Sequence, residues 1–152
     1  MVQMNDSSTA TDLLPTQLQA ASRQAAPPRV TAVASADEFQ QMAERRAMRS
    51  WRHGQPLSAL RLQPQPDATL DAALRDDWLV ECTRRLCSRV RSSDIVICWP
   101  GGGHGVLLLG CRQVHADAVV QRLTQALSQP YGRGDRLLYL QWQGARLDLA
   151  TG

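Results

Sequence analysis

Apolar residues fall into two kinds of pattern along this chain. Residues 95–98 (Ile-Val-Ile-Cys) and 106–109 (Val-Leu-Leu-Leu) are apolar at every position and are joined by Pro100-Gly101-Gly102-Gly103-His104-Gly105. Two such runs, around residues that tolerate positive φ, predict a β-hairpin. Their unbroken apolarity predicts central strands covered on both faces. Elsewhere the spacing is helical. Ser35 as a cap, with Asp37 and Glu38 in the first turn, opens a helix that carries Phe39, Met42, Ala43 and Ala47 and ends near His53-Gly54. Leu74, Trp78, Leu79, Cys82, Leu86 and Val90 predict a second helix, from about Asp67 or Thr69 to Val90, and residues 116–128 predict a third. Residues 56–62 read as a strand and 129–135 as a loop. Residues 136–142 read as a strand, and Gly144 as a turn into a last strand at 146–149.

Residues 1–35 are rich in Ser, Thr, Ala, Gln and Pro. Such a composition does not bury enough surface to offset its ordering entropy, so it predicts a mobile tail, with a single domain over 36–152. Leu13, Leu14 and Leu18 could form one helical turn for a partner, although a plain linker explains them more simply. All 17 basic residues are Arg. The chain therefore offers no P-loop lysine and no Schiff-base lysine. A net charge of +3, scattered and without an interleaved aromatic platform, argues against nucleic acid. Cys82, Cys87, Cys98 and Cys111 lack C-x-x-C spacing and read as reduced core thiols. With no signal-peptide pattern and no membrane-length apolar run, a cytoplasmic protein without membrane insertion is expected.

The hairpin and its approach resemble the signature of the GGDEF family of diguanylate cyclase domains. The family pattern runs R-x-x-D, then GGDEF or GGEEF, then an apolar strand. Arg91-Ser92-Ser93-Asp94 supplies R-x-x-D, and the five signature positions fall on Pro100, Gly101, Gly102, Gly103 and His104. The first helix resembles the one that opens these domains, and Asp76 and Leu79 match a G-D-x-x-L in the second. The resemblance covers about residues 37–143; the helix and strand with which the family continues have no counterpart in it. It implies an α/β fold, an α+β sandwich with a palm-like, antiparallel-rich central sheet flanked by helices.

Diguanylate cyclases bring two GTP molecules together across a dimer and stabilise phosphoryl transfer with metal ions. The metal-binding D-x-D that ends the first strand in the family falls on Gln63 and Gln65, and the acidic pair of the signature falls on Gly102 and Gly103. Magnesium requires hard anionic oxygens that these residues do not provide, so the resemblance implies a frame without cyclase chemistry, no catalytic residue and no cofactor. The R-x-x-D is the family's inhibitory product site. There the Arg meets guanine O6 and N7 and the Asp accepts from N1–H and the amino group. An arginine on the following helix often joins it, and counting without gaps places it at Arg122. Cyclic di-GMP bound by Arg91, Asp94 and Arg122 is thus one expectation, with the signal passed to a bacterial protein partner and homodimerisation possible. A docking module that binds no nucleotide is the other. Arg84, Arg85 and Arg89 read as a solvated helix face, with Arg89 outside the ligand pattern. Trp99 reads as an exposed aromatic for a partner or a stacked base. A Cys98–His104 dyad lacks an orienting third residue.

Overall fold

The computed structural model describes residues 27–65, 72–133 and 136–149. Its elements in chain order are β1 (Arg29–Ala32), α1 (Ala36–Arg52), β2 (Leu57–Pro64), α2 (Ala72–Cys87), β3 (Ile95–Cys98), β4 (His104–Leu109), α3 (Gln113–Leu127), β5 (Tyr131–Arg133), β6 (Arg136–Leu138) and β7 (Trp142–Arg146). Five strands form one sheet in the order β1-β3-β4-β2-β7, and β5 and β6 form a separate ribbon. Only β1–β3 is parallel; the other neighbours in the main sheet are antiparallel. This is the α/β sandwich with an antiparallel-rich sheet that the sequence predicts.

The unbroken apolarity of β3 and β4 has its reason in the layers. Val96, Val106 and Leu108, with Leu60 and Leu62 of β2, face Trp78, Cys82 and Leu86 of α2 and Ala116, Leu123 and Leu127 of α3. Ile95, Ile97, Leu107 and Ala59 face Phe39 and Ala43 of α1. Each strand residue therefore has a helix opposite it whichever way it points. The start of α1 follows the sequence closely: Ser35 Oγ accepts from Glu38 N at 3.2 Å, and the Glu38 carboxylate accepts from Ala34 N at 2.9 Å.

Three expectations are corrected. The mobile tail does not extend to residue 35, because Arg29–Ala32 pairs with Ile95–Cys98 and Val33 N donates to Cys98 O at 2.9 Å. The rest of the expected tail, residues 1–26, lies outside the described residues, as do the first residues expected in the second helix. Residues 136–142 are not one strand: β6 pairs with β5, inside the segment read as a loop, and Trp142 belongs to the main sheet. Gly144 is not a turn but lies within β7 beneath α3. A Cβ there would stand 2.7 Å from Leu62 and 2.8 Å from Thr124, so the glycine allows the helix to approach the sheet.

Arg85 is not part of a solvated face. It reaches the end of α3 and donates to the carbonyls of Ala126, Gln129 and Pro130 at 2.9–3.0 Å, while its guanidinium lies 3.6 Å from the Tyr131 ring centroid. Ala126 has no i+4 donor because residue 130 is proline, and Gln129 and Pro130 lie just past the helix end, so Arg85 supplies donors where the i+4 ladder provides none. Arg85→Ala is expected to lower unfolding free energy by about 2 kcal/mol, since hydrogen bonds to a charged group are lost together. Arg84, paired with Glu81 at the surface and with no other side chain among the described residues, is the comparison, and Arg84→Ala should change stability by no more than about 0.5 kcal/mol. Urea denaturation of both variants gives the answer; equal effects would refute the clamp.

Candidate functional site

Two places inherit the chemistry expected from the sequence: the glycine-rich turn and the junction that carries Arg91. At the turn, Trp99 N donates to Gly103 O at 3.1 Å, and Gly101 and Gly102 take φ of 93° and 90°, which only glycine adopts easily. Trp99 is buried, contrary to the expectation of an exposed platform. Its ring stacks on Phe39, with centroids 5.3 Å apart and planes 25° from parallel. The ring lies directly over Gly103: a Cβ at that position would stand 2.0 Å from Trp99 Nε1. The absence of a side chain at 103 is what lets the indole fold back, and glycine identity alone did not signal this.

At the end of β2, Gln63 is exposed, and Arg61 Nη2 donates to its Oε1 at 3.2 Å. Gln65 is tied by its backbone to Gln141 O at 2.8 Å. A cation and two amides thus stand where the resemblance points to carboxylates for magnesium. Among the described residues no three His, Cys, Asp or Glu side chains come together in a way that could hold a metal ion.

His104, opposite Cys98 in the β3–β4 register, is buried on the α2 side of the sheet. Its Nδ1 lies 2.9 Å from Gly102 O, which only accepts, so Nδ1 carries the proton. Its Nε2 then accepts from the Thr83 hydroxyl at 2.7 Å, and Trp142 packs edge-on to the ring. Both ring nitrogens have partners other than Cys98, so the pair is a structural contact rather than a dyad. Burial lowers the affinity of His104 for a proton, and the Gly102 carbonyl opposes this only in part. The unfolded chain therefore binds more protons than the folded one below the ordinary histidine value of 6.5. Stability should be complete above that pH and fall as pH drops from 6.5 toward the depressed value. His104→Phe, which carries the signature's own residue, should flatten the stability profile between pH 7.5 and 5; an unchanged slope would place the titration elsewhere. Burial likewise pushes the Cys82 thiol up to about 12, in keeping with an inert core cysteine.

The second place is a cleft of about 540 Å³ where the α2–β3 turn, the β4–α3 junction and the exposed side of α3 meet. Arg91, Asp94 and Arg122 all line it, together with Arg89, Arg112 and His115. Asp94 is 2% exposed and is more constrained than the sequence implies. Its Oδ2 accepts from Arg91 N at 2.9 Å, shaping the turn, and its Oδ1 accepts from Arg91 Nη2 at 3.1 Å. The Arg91 side chain remains 59% exposed, with Nη2 also donating to Leu109 O at 2.7 Å. Arg122 Nη1 donates to Arg89 O at 3.2 Å, which links α3 to the same turn. Arg89 is therefore not a bystander: it stands in the cleft with the residues it was expected to lie outside.

No family model and no curated protein matches this sequence. The fold, however, is shared with solved GGDEF domains. The diguanylate cyclase SiaD of Pseudomonas aeruginosa, solved in complex with its activator SiaC, superposes with a TM-score of 0.62 at 21% identity, over 76% of this chain and 47% of that one. A sensory box/GGDEF family protein from Caulobacter crescentus CB15 gives 0.62 at 19% identity, over 74% and 76%. The active GGEEF domain of a diguanylate cyclase from Vibrio cholerae gives 0.59 at 14%, over 78% and 80%. The chain spans about half the length of the SiaD chain. At these identities the likeness defines the fold, a palm-like GGDEF-type sandwich. Among the described residues no helix is long and apolar enough to cross a membrane.

Proposed function

We propose that this protein is a non-catalytic cytoplasmic receptor of GGDEF-like fold that binds cyclic di-GMP in the arginine-lined cleft and signals through a bacterial protein partner. The observation that carries this reading is that Arg122, some thirty residues further along the chain, joins the neighbouring Arg91 and Asp94 on one concavity of about 540 Å³. That is the size of a small-molecule site. Guanine offers acceptors at O6 and N7 and donors at N1 and N2. The Arg91 fork and the Asp94 carboxylate, which now satisfy each other, match those two edges in turn. Binding then exchanges the internal ion pair for the guanine edge, so no charge is left without a partner. Gly102, Gly103, Gln63 and Gln65 support the non-catalytic part, since none offers the anionic oxygen that the phosphoryl-transfer metals need. That the SiaD chain is solved with an activator protein supports the partner part.

Calorimetric titration of the full chain with cyclic di-GMP tests the reading, with cyclic di-AMP as the competitor that lacks the guanine edge. Saturable binding of the guanine ligand, much weaker for the adenine one, is the expected result. No heat at high micromolar ligand would remove the receptor and leave the docking module.

A further inference from the structure

The three residues matched to guanine leave much of the cleft's charge unassigned. Four guanidinium groups line it, from Arg89, Arg91, Arg112 and Arg122, against one carboxylate, Asp94. Asp94 is already paired with Arg91, so three cations face the cavity uncompensated. Arg122 spends one donor on the Arg89 carbonyl. The guanidinium groups of Arg89 and Arg112 have no hydrogen-bond or ion-pair partner among the described residues. They stand on different walls: Arg89 follows α2, and Arg112 precedes α3. Like charges gathered in a concavity without counter-charges repel one another, and the arrangement is relieved when an anion enters.

We infer that Arg89 and Arg112 form a phosphate-holding wall of this cleft, separate from the guanine contacts, that takes the phosphodiester charge of the ligand; this rests on the receptor reading above. A guanidinium presents paired N–H groups at the spacing of two phosphate oxygens, and charge-assisted bonds of this kind are the strong ones. A cyclic dinucleotide carries two phosphodiester anions, which two unengaged guanidinium groups answer in number. The start of α3 agrees with this placement. Arg112 holds the cap position without a side-chain cap bond, and the first turn contains no acidic residue. The partial positive charge of the helix end therefore adds to Arg112 instead of being cancelled. Division of labour follows: Arg91 and Asp94 choose the base, and Arg89 and Arg112 set how tightly any ligand of that charge is held.

The experiment is a set of titrations of the full chain and its Arg112→Ala, Arg89→Ala and Arg112→Lys variants. Two probes are used, cyclic di-GMP and inorganic pyrophosphate. Each alanine variant is expected to raise the cyclic di-GMP dissociation constant roughly ten-fold. Both should flatten its dependence on sodium chloride, while Arg112→Lys, which keeps the charge without the fork, recovers part of the loss. Pyrophosphate should bind the parent weakly and the Arg89→Ala, Arg112→Ala double variant not at all. If the parent binds cyclic di-GMP and the alanine variants bind it equally well with the same salt dependence, the phosphate wall is refuted while the receptor reading stands. If the parent binds pyrophosphate through these arginines but not cyclic di-GMP, the wall stands and the guanine reading falls. Binding of neither probe overturns both.

Discussion

A Gly102→Asp, Gly103→Glu double variant, which rewrites the turn toward the acidic signature, is expected to make no cyclic di-GMP from GTP with magnesium or manganese and to be markedly less stable than its parent. The parent is expected to be equally inactive. The reason lies in the packing of the turn as much as in the missing carboxylates. Any side chain at Gly103 starts from a Cβ 2.0 Å from Trp99 Nε1, so the indole has to leave Phe39 and the core. At Gly102 a Cβ meets Leu79 and Pro64 at 2.9 Å, on a backbone at φ +90°. Overpacking and the loss of a buried aromatic contact together predict a loss of about 3 kcal/mol or more for the double variant. Gly103→Ala alone should show most of it in thermal unfolding. Gln63 beside Arg61 still provides no metal ligand, so restoring two carboxylates does not restore the pair of metal sites. Turnover above a heat-killed control in the parent would overturn the non-catalytic reading, and turnover in the variant alone would refute the packing argument made for the turn.

On the proposed receptor reading, Arg91→Ala is expected to abolish most of the affinity for cyclic di-GMP. A bidentate arginine–guanine pair is worth about 1–3 kcal/mol, or roughly five- to more than a hundred-fold in dissociation constant. The fold should survive this change, because Asp94 keeps its bond from the residue 91 backbone N–H and the lost ion pair is half in solvent. Asp94→Ala is a different experiment. It removes the acceptor that shapes the turn, so a fall in stability should accompany the fall in affinity. Arg122→Ala should cost less than Arg91→Ala, since it also loses only one tie to the Arg89 carbonyl. Unchanged binding in Arg91→Ala would place the ligand outside this cleft.

What the sequence made legible is what local chemistry and periodicity govern. Ser35 and Glu38 announce the start of α1 because the cap bonds lie within four residues. The β3–β4 hairpin is written in consecutive apolar positions and in glycines that the turn requires. Arg122 was placed by counting alone, and it lines the cleft with Arg91. Features that depend on a distant partner were not legible. Trp99 is buried because Gly103 has no side chain and Phe39 lies beneath it. Gly144 continues a strand because α3 comes close. Arg85 works on carbonyls some forty residues further along the chain. The β1 strand escaped because Arg-Val-Thr-Ala is short, partly exposed and paired only through its backbone.

That short strand changes where the protein can be cut. A chain trimmed to residue 36, the boundary composition suggests, loses the four residues that lie against Ile95–Cys98. Strand β3 would then be the outermost strand, with Ile95, Val96 and Ile97 in sequence and a row of unpaired amide and carbonyl groups beside them. A flat, apolar, uncovered strand is a template for pairing with another chain. The trimmed protein should therefore self-associate as its concentration rises, whereas one beginning at Pro27 keeps the apolar β3 covered by the short outer strand β1. The modest Arg-Val-Thr-Ala segment thus acts as a guard against aggregation, and its polar Arg29 and Thr31, of little use in a core, suit a strand that has water on one side.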